Sequence, residues 1–178
     1  MRKSLQIMLA IAVIFVGLPA IAGTQVLGVE IGVTTVNQMR QELSKKTHVE
    51  DSGTNEFAGG PMLKTDGAAY EIEGLTEVVY IFDDQKKLAG VIMDMSKGRF
   101  DSVFEFLNKK YKVTSQQRPF VGDQFARFKP ADSFIEMDAP HMGFNMEVRY
   151  IRNDLMQKFK TKSNENSAAK KKSEAANF

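Results

Sequence analysis

The chain repeats itself. Gln41-Glu42-Leu43-Ser44-Lys45-Lys46-Thr47-His48-Val49 lies over Glu105-Phe106-Leu107-Asn108-Lys109-Lys110-Tyr111-Lys112-Val113 at an offset of 64 residues, and in both copies a helix closes and a strand opens. Further on, Val78-Val79-Tyr80-Ile81-Phe82-Asp83 lies over Ser133-Phe134-Ile135-Glu136-Met137-Asp138 at an offset of 55, which also sets Leu88 to Met95 on Gly143 to Tyr150. A supersecondary unit that recurs in one chain buries its apolar face against its own copy. The expectation is an α+β fold of two α-β-β-β(-β) units, about residues 29–95 and 98–152. Their strands should join side by side in one antiparallel sheet, with the helices packed on one face.

Local signals fill in the units. Thr35 with Gln38 three residues on has the spacing of a capping box, and Val36, Met39 and Leu43 then share one helical face, predicting a helix to about Lys46. Phe100, Val103, Phe104, Leu107 and Tyr111 make a second, strongly amphipathic helix. Val78 to Phe82 and Leu88 to Met95 are apolar runs around the polar stretch Asp83 to Lys87, which reads as a hairpin with its paired acids solvated in the turn. Phe125 to Lys129 and Phe134 to Asp138 are strand-like. Phe144 to Tyr150 alternates, with Phe144, Met146, Val148 and Tyr150 facing the core and Asn145, Glu147 and Arg149 facing water. The segment Glu50 to Ala68, rich in Gly, reads as a long loop. A short helix at 153–160 closes the domain, and 161–178, built of Lys, Ser, Asn, Ala and Glu, reads as a disordered basic tail able to make weak contact with an anionic surface.

Tandem helix-plus-strands units resemble the fold of the secreted β-lactamase inhibitor protein family, and a single unit is similar to small outer-membrane assembly lipoproteins of the SmpA/OmlA kind. The resemblance spans about residues 29–152 and rests on Leu27 to Thr35 leading into a helix and on the two hairpins. It implies an architecture and assigns no functional residue. The inhibitor relies on disulfides and the lipoproteins on an N-terminal Cys, whereas this chain has none.

The N-terminus bears on compartment. Arg2 and Lys3 precede an uncharged apolar run from Leu5 to Leu18, and Pro19-Ala20-Ile21-Ala22 follows, the layout of a signal peptide over 1–22 cleaved after Ala22. The run is short for a membrane span and lacks a basic stop-transfer cluster, so a periplasmic or secreted protein, not membrane-spanning after cleavage, is expected. Residues 23–160 would form a single domain standing on its core alone, because no disulfide can be made. From Gly23 onward 22 basic residues face 22 acidic ones, which argues against nucleic acid as a partner.

No nucleophile motif, phosphate loop or metal-ligand spacing is present, and nothing calls for a cofactor or metal, so the chain reads as non-enzymatic. Three functional readings follow. In the first, another envelope or secreted protein is bound through the wet sheet face and the loop near His141, as by an inhibitor, adaptor or assembly factor. The candidate residues are Arg127, Glu136, Asp138, His141, Asn145, Glu147 and Arg149, with Arg149 as the natural anchor because a guanidinium can hold a carboxylate with two hydrogen bonds. In the second, the Phe and Met load lines a pocket for a small ligand or lipid; an enclosed space of roughly 300 Å³ or more would favour it. In the third, Asp138 and His141 form a hydrolytic pair.

Overall fold

A computed structural model describes residues 23–175. The signal-peptide reading of 1–22 and the end of the tail, 176–178, lie outside the described residues. A small hairpin of β1 (Gln25–Val26) and β2 (Val29–Glu30) leads into α1 (Val36–Leu43), which is followed by β3 (Val49–Thr54), β4 (Gly59–Asp66), β5 (Leu75–Asp83) and β6 (Leu88–Ser96). Then α2 (Phe100–Lys110) is followed by β7 (Val113–Gln117), β8 (Gln124–Phe128), β9 (Ser133–Ala139) and β10 (Asn145–Arg152), and α3 (Asn153–Ala175) ends the chain. The eight long strands form one antiparallel sheet in the order β3-β4-β5-β6-β10-β9-β8-β7. Each unit is thus a helix and a four-strand meander, and the two meanders meet through their last strands.

The register explains the core. Leu63, Tyr80, Val91, Tyr150, Ile135 and Phe128 lie opposite one another across six adjacent strands, all buried on one face. Against them pack Val36, Met39 and Leu43 of α1 and Phe100, Phe104 and Leu107 of α2, in one continuous cluster. The Tyr80 hydroxyl, inside this core, donates to the Tyr70 hydroxyl at 2.8 Å, which in turn meets Thr65 at 2.8 Å. Burial, reinforced by that bond, pushes the Tyr80 phenol far above its ordinary value. The predicted capping box is present: the Thr35 N–H donates to Gln38 Oε1 at 2.9 Å and the Gln38 N–H to Thr35 Oγ1 at 3.4 Å.

Four expectations need correction. The segment expected as a long loop is the hairpin β3–β4. Its glycines sit where the ladder bulges and where backbones approach closely: a Cβ on Gly60 would lie 2.1 Å from the Asp83 carbonyl oxygen. The helix expected to stop at Lys160 continues to Ala175, so the tail is helical as far as it is described. No Gly or Pro interrupts 153–175, and once a packed first turn has nucleated a helix, Ala, Lys and Glu extend it at little cost. Phe144 precedes β10 and is exposed. Asp83 is buried, at 5 % exposure, rather than solvated in a turn.

Candidate functional site

The face opposite α1 and α2 is not uniformly wet. One row across it reads Lys64, Val79, Ile92, Arg149, Glu136 and Arg127, each directly opposite the next, so it changes from apolar to charged at the seam between β6 and β10. The adjacent row, Met62, Ile81, Gly90 and Ile151, continues the apolar half. That half is covered by α3: Leu155 packs with Ile81, Ala89 and Ala58 in a second apolar cluster, and Phe159 meets Phe57 edge-on with ring centres 5.1 Å apart. Phe57 is held by Asn55, whose Oδ1 accepts from the Phe57 N–H at 3.0 Å and the Ala58 N–H at 2.9 Å. Lys162 anchors the helix further by pairing with Glu56 at 3.0 Å.

Between α3 and the sheet a cleft of about 410 Å³ remains, floored by Ile81, Ile92 and Ile151 and walled by Phe57, Met156 and Phe159. Arg149 and Glu136 stand at its charged edge. Sequence reasoning placed Met156 and Phe159 on a helix and missed the floor; the signal was that β5 and β6 are continuous apolar runs, which mark strands covered on both faces.

Five of the seven candidate residues join in one network of ion pairs. The Arg149 Nε donates to Glu147 at 2.7 Å, and its terminal nitrogens lie 2.5 Å from Glu147, 3.3 Å from Glu136 and 3.6 Å from Asp138. Arg127 Nε reaches the other Glu136 oxygen at 2.8 Å while its guanidinium covers the Phe125 ring. Burial alone would lower Arg149, but Glu147, Glu136 and Asp138 outweigh it and hold the guanidinium charged. Arg149 does grip carboxylates, and they are its own. Asn145 borders this network, lining a shallow hollow with Asp138, Glu147 and Arg149, and is bonded to Asp94 at 2.7 Å. His141 stands further off on the β9–β10 loop, where its Nδ1 accepts from the Gly122 N–H at 3.2 Å and its N–H donates to Asp123 at 2.7 Å. Asp138 therefore faces Arg149 and His141 faces Gly122, and no hydrogen bond joins them as the hydrolytic pair would require. Among the described residues no group of three or more His, Asp and Glu is arranged to hold a metal ion. Nor, among them, is any helix long and apolar enough to cross a membrane.

At the far end of the sheet, Thr24 is tied to Asp132 through its N–H at 3.0 Å and through its hydroxyl, with Ser133 also bonded to that carboxylate at 3.1 Å. Burial would raise Asp132, but these donors outweigh it and hold the carboxyl below its ordinary range. No protein-family model matches this chain, and no curated protein or solved structure is significantly similar to it, so the likeness seen in the sequence rests on element order alone.

Proposed function

We propose that this is an exported, non-enzymatic binding module whose ligand seat is the cleft between α3 and the open sheet face. The cleft carries the reading: its volume of about 410 Å³ falls within the ~300–1,000 Å³ of small-molecule sites, and its lining is apolar apart from the edge. It would take on the order of a dozen water-sized groups of ~30 Å³ each. Arg149 is already committed to Glu147, Glu136 and Asp138, so an anionic head at that edge would meet three carboxylates. The ligand class that fits is a neutral apolar molecule or acyl chain. This small-ligand reading overtakes the protein-partner reading because charges satisfied within the molecule add little to affinity for a partner.

Ile92→Phe tests it. Ile92 lies on the cleft floor and is only partly covered, so a ring there fills the space while keeping a residue suited to a strand. A neutral solvatochromic dye such as Nile red should brighten and shift to the blue with the unaltered protein, and the variant should bind it roughly ten-fold more weakly, a loss of about 1.4 kcal/mol. Stability should change by less than about 1.5 kcal/mol. Equal dye affinity in both proteins would remove the cleft as the seat and return weight to a partner protein on the charged half.

Export belongs to the same proposal. The Gly23 N–H donates to Glu30 Oε1 at 2.9 Å with Asp132 close by, so a chain that begins at Gly23 would set its new end against two carboxylates. N-terminal sequencing of the protein from the envelope fraction should start at Gly23, and a start at Met1 would defeat the proposal.

A further inference from the structure

The loops at the Asn145 end of the sheet expose apolar side chains far beyond ordinary surface. Phe120 is 104 % exposed, Phe144 93 %, Met142 90 % and Val121 67 %. They occupy two loops, 118–123 between β7 and β8 and 140–144 between β9 and β10, which emerge at the same end because alternate connections of an antiparallel meander share an end. The loops are fastened to each other by the Gly122 N–H to His141 Nδ1 bond and the His141 N–H to Asp123 bond. Below them Lys97 donates from Nζ to the carbonyls of Pro140 at 2.6 Å and His141 at 3.3 Å, and from its N–H to the Phe144 carbonyl at 2.8 Å.

Three properties bear on what meets this tip. It protrudes: these side chains touch almost nothing of their own protein, with Phe120 edging an open polar hollow beside Gln116 and Arg118, and a protein partner would have to supply a matching pocket for each. Part of its polar backbone is tied within the loops: besides the bonds above, the Pro119 carbonyl accepts from Gln124 at 3.2 Å, the Gly143 N–H donates to Pro140 at 3.2 Å, and Arg118 is paired with Asp101 at 2.6 Å. Among the described residues the N–H groups of Phe120, Val121, Met142 and Phe144 have no protein partner, so these loops suit the hydrated headgroup boundary, where water still reaches the backbone, and not the dry centre of a bilayer. And no charged residue stands between Arg118 and Asp123 or between His141 and Glu147. Four protruding side chains are also a small footprint beside the ~800 Å² per partner of a stable protein interface.

We propose that the tip formed by Phe120, Val121, Met142 and Phe144 is a docking point for a lipid bilayer, seating these side chains at the boundary of headgroups and acyl chains. The proposal is independent of the cleft: the tip is recognised by the apolar layer and the cleft by a dye, so either can fail alone.

The chain contains no Trp, so Phe144→Trp gives a single reporter at the site. The processed full-length protein is mixed with phosphatidylcholine vesicles, with and without phosphatidylglycerol. The tryptophan emission of the variant should shift to the blue on both and be quenched by acyl chains brominated near the headgroup. Phe120→Ser with Phe144→Ser should lower co-sedimentation with vesicles roughly ten-fold or more, as the loss of two inserted aromatic side chains does. Because both positions are exposed, melting temperatures should match the unaltered protein. Emission that neither shifts nor is quenched on either vesicle would overturn the proposal. So would an emission shift that appears only on self-association or on addition of another protein, which would make the tip a protein interface.

Discussion

Leu107→Ala is expected to destabilise the protein by roughly 2–5 kcal/mol, and Leu43→Ala by a comparable amount. Leu107 lies in the last turns of α2 and Leu43 at the end of α1, each 6 % exposed and each in the cluster between helices and sheet. Truncation removes the transfer free energy of the lost atoms and leaves a cavity under a helix held by the strand that follows it and, for α1, also by its capping box. The pairing of the two variants matters more than either value. The two leucines are equivalent positions at the repeat offset of 64, so a fold built from two like units should feel both losses. Urea unfolding gives the comparison, with unchanged m-values confirming that the loss lies in the native state. A Leu43→Ala curve superimposed on that of the unaltered protein would mean that α1 merely covers the sheet and the units are not equivalent.

Arg152→Met should cost roughly 2–4 kcal/mol, far more than removal of an exposed pair such as Lys45–Glu42. Arg152 reaches Asp83 at 2.9 Å and Asp154 at 2.6 Å, joining the end of the second unit and the start of α3 to the β5–β6 turn of the first. Hydrogen bonding to Asp154 and to Asp83 holds its guanidinium firmly charged. Without it the Asp83 carboxylate, 8 % exposed at its side chain, keeps only the Lys87 N–H at 2.8 Å. The expected cost lies at the lower end of values for broken buried pairs because that bond survives and Arg152 is itself partly exposed. Asp83→Asn in the Arg152→Met background should recover part of the loss, since the amide removes the charge and retains the acceptor for Lys87. A loss below about 1 kcal/mol for Arg152→Met, or no recovery in the double variant, would show that the pair does not join the units.

Elements with a strong local signal were legible in the sequence. The capping box at Thr35, the apolar face of α2 and the hairpin of β5 and β6 depend on residues within one turn or one pair of strands. The β3–β4 hairpin was not legible, because Gly53, Gly59 and Gly60 read as loop residues until pairing shows that Gly53 and Gly59 take positive φ where the ladder is irregular and that the carbonyls of Phe82 and Asp83 occupy the space where a Gly60 side chain would stand. Phe144 continued the alternation of its strand and so read as core; the Lys97 N–H claims its carbonyl just before β10 begins, and the side chain is left outside.

The candidate residues divide along the same line. Alternation put Glu147 and Arg149 on one face of their strand, and the side-chain period of two allows nothing else once one face is buried. Which strands lie beside that face is a long-range matter: pairing of β10 with β6 and β9 sets Arg149 between Ile92 and Glu136, and so decides that its partners are its own carboxylates. Because period, propensity and composition are local or additive, the two-unit α+β architecture, the inner face of the sheet and the chain's lack of any disulfide were all legible before any long-range contact was known. Only the folded chain sets α3 over half of the other face and leaves a cleft beneath it, because both depend on pairing between strands far apart in the chain, and only contacts between the β7–β8 and β9–β10 loops bring Phe120 and Phe144 to one tip.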